Sequence, residues 1–513
     1  MIYLDHAATT PLDPQVRDAM LPWLDAQDGF GNPASDHAYG RAARAAVEAA
    51  RAQVAALLGA SAEEIVWTSG ATESNNLAIK GALEFRGLAG AHLVTSCIEH
   101  KSVVDSCRYL ETQGVRVSWL EPDGAGAIRA EQVLAALKPE TLLVSLMWVN
   151  NETGTINPVI ELAPQLRSRG VLFHVDAVQA AGKLPIDLGA VPIDLLSLSA
   201  HKSYGPKGVG ALFVRKRPRA RLAPQIHGGG HEQGMRSGTL ATHQLVGMGA
   251  ACALAAQRLD ADAARLSGLR ERLWARLREL PDVQRNGDAA AAAPHVLNLS
   301  FAGIDGESLR ARLPQLAVSS GSACSSATRE PSYVLRALGR DDELAGASLR
   351  FSPGRATTEA EIDAAAQQVA AAIRALRACR SGGPSAPAPL AGGEESNAFG
   401  YPQPVWRRFS TLAHVGVVDD AVRVRAHTPA ARAELELSLR PGTPPVARFR
   451  GHGCPVTLAV GEWLAETLER EGVSALGRLD AASIRASLEI PEDRAHCALM
   501  GEDLVRGLRQ LLP

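Results

Sequence analysis

Between residues 60 and 215, short β-rich segments alternate with helical ones, and no other feature constrains the fold as much. "EEIVWTSG" (63–70), "HLVTS" (92–96), "VRVSWL" (115–120), "TLLVSLMWV" (141–149), "VLFHVDAV" (171–178), "DLLSLSA" (194–200) and "VGALFV" (209–214) all read as strands. Helical stretches such as "NPVIELAPQLRSRG" (157–170) lie between several of them. Apolar strands separated by helices predict an α/β domain with a mostly parallel central sheet.

The rest of the chain divides by pattern. Residues 245–280 predict one long helix or a broken pair, and residues 281–380 a smaller α+β unit with strands at "HVLNLSF" (295–301) and "ASLRFSP" (347–353). "TTEAE" gives a capping signal for the helix that closes this unit near residue 380. Residues 381–398, rich in Gly, Pro, Ala and Ser, read as a flexible linker. A separate unit, 399–513, follows, with strands at "RAELELSLR" (432–440) and "PVARFRG" (445–451) and then helices. At 513 residues, two or three compact units are expected.

Composition narrows the function classes. With 46% hydrophobic residues, 21% charged residues and a formal net charge of −2, the chain suits a soluble globular protein. No general nucleic-acid or membrane-surface role is expected from that balance. The sequence shows neither an export signal nor an apolar run long enough to span a bilayer, so a cytoplasmic protein is expected. Seven sparse cysteines without a Cys-x-x-Cys pair argue against a disulfide framework and against structural zinc.

The chemistry-bearing residues gather at the strand ends. Lys202, in "LSLSAHKSYGPKGVG", follows a buried strand and precedes a glycine-rich turn, where partial burial suits a Schiff-base lysine. Asp176 ends the strand in "FHVDAVQ"; a carboxylate there keeps the ring nitrogen of pyridoxal phosphate protonated, and Gln179 is within reach of the ring hydroxyl. "TSGATESNN" is a strand, a small-residue turn and a helix start, so the amides of Ala71 and Thr72 form a phosphate cradle. His100 in "CIEHKS" offers an aromatic plate for the ring, and Asn151 in "WVNNETG" a partner for the ring oxygen. Singly, each has an ordinary alternative: a loop lysine, a helix cap, a surface histidine. Together, at the carboxyl ends of consecutive strands, they point to a pyridoxal phosphate site.

"SSGSACSSA" (319–327) places Cys324 among serines, glycine and alanines, with no apolar run to bury it. A thiol in such a loop is either an unremarkable surface group or a nucleophile on a tether.

"YLDHAATTP", "FGNPAS", "SGATESNN", "EHKS", "VNNETG", "HVDAVQ", "SAHKSYGPKGVG", "GGGHEQGMRSGT" and "GSACSSA" together resemble the class I cysteine desulfurases, from residue 1 to about 380. The resemblance implies the fold type I pyridoxal phosphate-dependent transferase architecture. Its large domain is expected at about 14–260 and its small domain at 1–13 plus about 261–380. A homodimer is implied as well. Lys202 then carries the cofactor, Asp176 and Gln179 hold its ring, His100 stacks on it and Asn151 lies near its oxygen. Ala71, Thr72, Ser199 and His201 bind the phosphate, and Thr239 reaches it from the other subunit. Arg350 becomes the clamp for the substrate carboxylate, its planar fork suiting two parallel hydrogen bonds, with Asn32 a secondary substrate contact. The implied reaction converts L-cysteine to L-alanine and leaves a persulfide on Cys324, with Lys202 or His100 moving protons.

The tail motifs "ARFRGHGCPVTLAVGEWLAE" (447–466) and "AHCALMGEDLVRGLRQLL" (495–512) resemble iron–sulfur scaffolds of the IscU/NifU type and SufE-type sulfur acceptors. That likeness makes Cys454 the expected sulfur acceptor and sets Cys454 and Cys497 as candidate ligands of a transient iron–sulfur cluster. Cys324 enters that chemistry only by persulfide hand-over. "HTPAARAE" (427–434) lacks the additional cysteine and aspartate of the scaffolds, leaving His427 as a substitute ligand and His496 as a further one. A persulfide acceptor needs only one good thiol, so it asks less of this sequence than a cluster does. The expected partners are L-cysteine, a second copy of the chain, and scaffold or other acceptor proteins in iron–sulfur assembly. Two alternatives remain: another fold type I enzyme such as a selenocysteine lyase or an aminotransferase, and a tail that serves only as a docking module.

Overall fold

A computed structural model describes residues 1–25, 29–320, 330–383, 388–390 and 393–512. Cys324 lies outside the described residues.

The predicted alternation folds into one seven-stranded mixed sheet. Its strands are β1 (Ile65–Thr68), β2 (His92–Ser96), β3 (Arg116–Leu120), β4 (Thr141–Met147), β5 (Leu172–Asp176), β6 (Leu195–Ser199) and β7 (Gly210–Val214). They run in the order β1-β7-β6-β5-β4-β2-β3. β3, β2, β4, β5 and β6 are parallel neighbours, whereas β7 is antiparallel to both β6 and β1.

Consecutive residues of each strand bury themselves on opposite faces, as the pleat requires. Leu143, Leu172, Leu195 and Leu212 pack with α1 (Ala71–Arg86) and α2 (Lys101–Thr112). Val144, Phe173, Leu196 and Phe213 pack on the other face, with Leu245 and Met248 of α3 (Thr242–Leu277). α3 is one unbroken helix of 36 residues. With both faces covered, ligands can approach only at the strand ends.

The small domain carries an antiparallel sheet of β8 (Val283–Asn286), β9 (Leu297–Phe301) and β10 (Ser348–Phe351), in the order β10-β9-β8. Ile2–Tyr3 pairs in parallel with Leu316–Ala317, which ties the N-terminus to this domain. α4 (Gly306–Ala311) and α5 (Glu359–Ser381) complete it, and Thr358 caps α5 through a capping box with Glu361.

The tail forms a three-stranded antiparallel sheet, β11 (Val422–Thr428), β12 (Ala433–Arg440) and β13 (Val446–His452), packed with α6 (Gln403–Thr411), α7 (Pro455–Glu471) and α8 (Ala495–Leu511). It shares one contiguous apolar core with the small domain: Leu299, Phe351 and Ile373 belong to the same cluster as Phe409, Leu437 and Phe449. The stretch expected to be a flexible linker is held in its described parts. Leu390 N–H donates to the Ser410 carbonyl, Arg312 Nη2 to Ala388 O, and Trp406 Nε1 to Gly393 O.

Candidate active site

The parallel strands end at one edge of the large sheet, and a cavity of about 240 Å³ opens there. It is lined by Ala71 and Thr72 after β1, His100 after β2, Met147 and Asn151 at the end of β4, Asp176 and Gln179 at the end of β5, and Lys202 after β6. The small domain closes it with Arg350, and the N-terminal crossing segment adds Ala7 and Ala8. Eight residues expected from sequence to hold cofactor or substrate therefore meet in one place: Ala71, Thr72, His100, Asn151, Asp176, Gln179, Lys202 and Arg350.

Lys202 Nζ donates to the carbonyls of Ala7 (2.7 Å) and Ala8 (2.6 Å). Asp176 is buried, with one carboxylate oxygen accepting from Asn75 Nδ2 at 2.8 Å and the other from Val178 N–H at 3.1 Å. Asn75 also donates to Ser102 Oγ at 2.9 Å, which is 2.8 Å from His100 Nδ1. Because Ser102 Oγ accepts from Asn75 and Ser102 N–H points at His100 Nδ1, the ring accepts at Nδ1 and, while neutral, carries its proton on Nε2. Gln179 is fixed from both sides, donating to Ala7 O at 2.9 Å and lying 3.0 Å from His295 Nε2.

Arg350 is 3% exposed. Its Nη1 donates to Asn151 O at 2.7 Å and its Nη2 to Asp5 at 2.8 Å, while Nε is buried without a partner. Asn151 Oδ1 is likewise buried and unpartnered. Unsatisfied buried polar atoms are costly, and two beside one cavity are accounted for by a polar ligand.

Burial and nearby charge set the surrounding acidities. His201, 3.1 Å from Thr9 Oγ1, is lowered to about 4 by burial and by Lys202. Lys183, whose Nζ donates to Lys202 O at 2.8 Å, is pressed down to about 7 by burial, then by Lys202 and Arg355. Glu99 is raised to about 8 by burial beneath the site, with Asp176 adding to the shift.

Not every expected residue reaches the cavity. Ser199 ends β6 and His201 neighbours Lys202, but neither belongs to the lining. Thr239 is exposed, and Asn32 is exposed with Oδ1 capping Ala34 N–H at 2.9 Å. Lys183, His295, Asn75 and Ser102 were not singled out from sequence; their roles arise from contacts between distant segments. The described residues on either side of 321–329 are bonded to Arg350 of the lining and to the neighbours of Asn151 and His100. Ser319 and Arg350 exchange backbone hydrogen bonds, Ser332 Oγ donates to Glu152 at 2.5 Å, and Tyr333 hydroxyl to Glu99 O at 2.5 Å.

The residues fit pyridoxal phosphate. A buried carboxylate for the ring nitrogen, an unpartnered amide oxygen, an amine and a helix N-terminus without a side-chain cap, at Ala71 and Thr72, face one volume.

A second cluster lies in the tail. Cys454 precedes α7, Cys497 sits in the first turn of α8, and their sulfurs are 3.9 Å apart. Thr457 Oγ1 touches both, at 3.5 and 3.4 Å, and His496 Nε2 is 3.3 Å from Cys497 Sγ. Cys454 is lowered to about 7, because Cys497 donates a hydrogen bond to it and Arg494 adds positive charge, outweighing burial. Cys497 is raised as the donor of that bond. Among the described residues, no group of three or more His, Cys, Asp or Glu side chains is placed to hold a metal ion. His427 is exposed on β11. This donor set does not fit an iron–sulfur cluster, which is held by four ligands.

The class-V aminotransferase family model matches residues 2–365. Cysteine desulfurase IscS of Stutzerimonas stutzeri (strain A1501) is 56% identical over 377 residues, covering 73% of this chain and 93% of that protein. The enzyme of the same name from Azotobacter vinelandii gives the same identity and coverage. Among solved structures, a NifS-like protein superposes with a TM-score of 0.67 at 35% identity, over 72% of this chain and 98% of its own. SspA in complex with cysteine gives 0.62 at 38% identity, over 70% and 100%. With its strand-end lysine, aspartate and histidine disposed around one cavity, the chain belongs to the class-V aminotransferase family and, within it, to the pyridoxal phosphate-dependent cysteine desulfurases.

Proposed function

We propose that the chain removes sulfur from free L-cysteine, leaving L-alanine, takes that sulfur as a persulfide on Cys324, and passes it to Cys454 of its own tail toward iron–sulfur cluster assembly. The observation that carries the reading is the placement of the described residues that flank 321–329. Ser319 on one side and Ser332 and Tyr333 on the other are bonded to residues around the Lys202 cavity. Cys324 lies five residues beyond Ser319.

The chain's own groups divide the work. Arg350 receives the substrate carboxylate, exchanging its bond to Asp5 for a paired one and offering its unpartnered Nε. Bound pyridoxal phosphate supplies the electron sink that loosens the substrate's carbon–sulfur bond. Asp176, held by Asn75, keeps negative charge where the ring nitrogen must stay protonated. Lys202 Nζ and His100 Nε2 hold and move the protons exchanged with the substrate carbon and sulfur. The Cys324 thiolate attacks the substrate sulfur; a sulfur–sulfur bond forms, the carbon–sulfur bond breaks, and the carbon is protonated to alanine.

Tethering favours the next transfer. The tail packs against α4 through Ser308 Oγ, which donates to Gly453 O at 2.7 Å beside Cys454. α4 precedes Cys324 in the same chain, so the chain itself tethers donor and acceptor at high effective concentration. The partner subunit of the proposed homodimer would supply Thr239 to the phosphate.

Cys324→Ala tests the reading. The variant should retain bound cofactor, read by visible absorption, and lose alanine formation from L-cysteine. Retained turnover would overturn the desulfurase assignment in favour of a reaction, such as transamination, that needs no thiol.

A further inference from the structure

The tail thiols form a pair. Cys454 and Cys497 stand at the starts of two different helices, 43 residues apart in sequence, with sulfurs 3.9 Å apart. Both are buried, Cys454 at 7% exposure and Cys497 at 0%. Thr457 Oγ1 bridges them, and His496 Nε2 lies 3.3 Å from Cys497 Sγ. His496 Nε2 therefore stands where it can take the Cys497 proton. An acceptor that only stored sulfur would need Cys454 alone, and the donor set falls short of a cluster. A second thiol in van der Waals reach, with a base beside it, is accounted for by neither role.

We propose that Cys454 and Cys497 act as a resolving dithiol: sulfur received by Cys454 is expelled as sulfide when Cys497 closes a disulfide onto Cys454. The inference rests on the acceptor reading above. The Cys497 thiol gives its proton to His496 and attacks Sγ of the Cys454 persulfide. The Cys497–Cys454 sulfur–sulfur bond forms, the bond from Cys454 to the terminal sulfur breaks, and that sulfur leaves as hydrosulfide. The transferred sulfur is reduced by two electrons and the two cysteines are oxidised to one disulfide, so the step needs no other oxidant or reductant. Forming the disulfide brings the two sulfurs from 3.9 Å to ~2.05 Å. A dithiol reductant then restores the pair by thiol–disulfide exchange for the next turnover. The product is free sulfide, which suits a consumer that takes sulfur at the sulfide oxidation level.

The test uses the full chain with its cofactor, reduced, freed of reductant, and held under argon with a chelator so that neither oxygen nor metal contributes. A few equivalents of L-cysteine are added, the mixture is quenched in acid, and alkylated peptides are read by mass spectrometry while sulfide is assayed. The wild-type chain should give a Cys454–Cys497 disulfide peptide and sulfide in a ratio of about one to one. Cys497→Ser should give no such disulfide and at least tenfold more persulfide on Cys454. The wild-type ratio needs no variant, so the test survives a variant that folds poorly. Equal persulfide on Cys454 of both proteins, with no disulfide, would overturn the resolving role and leave the acceptor reading standing. Persulfide moving to Cys497 of the wild type without sulfide would overturn it in favour of a relay. Persulfide on Cys324 with none on Cys454 of Cys497→Ser would overturn the acceptor reading, and this inference with it.

Discussion

Asn75 Nδ2 lies 2.8 Å from Asp176 and 2.9 Å from Ser102 Oγ, so one amide joins the buried Asp176 carboxylate to the hydroxyl beside His100 Nδ1. Asn75 lies on α1, Ser102 on α2 and Asp176 at the end of β5, which gives the three elements a common polar lock at the cavity floor. Asn75→Ala should leave the cofactor bound and lower kcat by roughly tenfold to a hundredfold. Removing a hydrogen bond to a charged group costs about 1.5–3 kcal/mol. Steady-state alanine formation, with cofactor content read from visible absorption, checks it. An unchanged kcat would show that Val178 N–H alone holds Asp176.

Arg350 should behave as a binding residue. Its Nη2 bond to Asp5 and Nη1 bond to Asn151 O fix the guanidinium plane, and a lysine cannot reproduce that fork. Arg350→Lys is expected to raise KM for L-cysteine about thirtyfold or more, with a smaller change in kcat and cofactor content preserved. A loss confined to kcat would place Arg350 outside carboxylate recognition.

Lys183 links stability to pH. Burial presses it down to about 7, below its ordinary value of 10.5, so its stabilising contribution is fully present only above 10.5 and is lost as pH falls through about 7. Between these limits the unfolded chain binds the extra proton, and stability rises with pH by at most about 1.4 kcal/mol per unit. Lys183→Met removes that dependence. The difference in thermal midpoint between wild type and variant should therefore move in favour of the wild type from pH 7 to pH 10. Parallel curves would show that Lys183 keeps an ordinary pKa.

Much of this was legible in the sequence, for a physical reason. A period of two residues and apolar composition locate strands, and each expected strand of the large sheet forms within a residue or two of its quoted stretch. Once the sheet is parallel, the residues after β1, β2, β4, β5 and β6 must meet at one edge, so Ala71, His100, Asn151, Asp176 and Lys202 converge by topology alone. Lys183, His295 and Asn75 were hidden because their roles depend on segments distant in sequence. In the tail, β11 carried a readable signal, with Val422, Val424 and Ala426 alternating with Arg423, Arg425 and His427. α6 was harder, since "QPVWRRFST" is mostly polar and is anchored by Trp406 and Phe409. Around Leu390, Gly- and Pro-rich composition marked the loss of periodicity, not the loss of contacts.

Glu307 makes one of the polar contacts between tail and enzyme. From α4 its carboxylate accepts from Arg494 Nη2 at 2.7 and 2.6 Å and from the Tyr401 hydroxyl at 2.5 Å. Arg494 in turn lowers Cys454, whereas Glu307 raises it. Glu307→Ala therefore has two separable consequences. It takes the nearer carboxylate partner from a guanidinium that is only 12% exposed, leaving Asp493 at 3.8 Å. With Glu307 itself part-exposed, the cost to docking is about 1–3 kcal/mol after solvent screening. Limited proteolysis within 381–398 should become faster as the tail detaches more often. While the tail stays docked, loss of the negative charge beside Arg494 lowers the Cys454 thiol further, so its alkylation at pH 7 should also speed up. Glu307→Gln keeps the shape and a hydrogen-bond acceptor for Tyr401 but loses the charge, and should speed alkylation with a smaller rise in proteolysis than Glu307→Ala. If Glu307→Ala altered neither rate, the Glu307–Arg494 pair would be neither a clamp on the tail nor a control on Cys454.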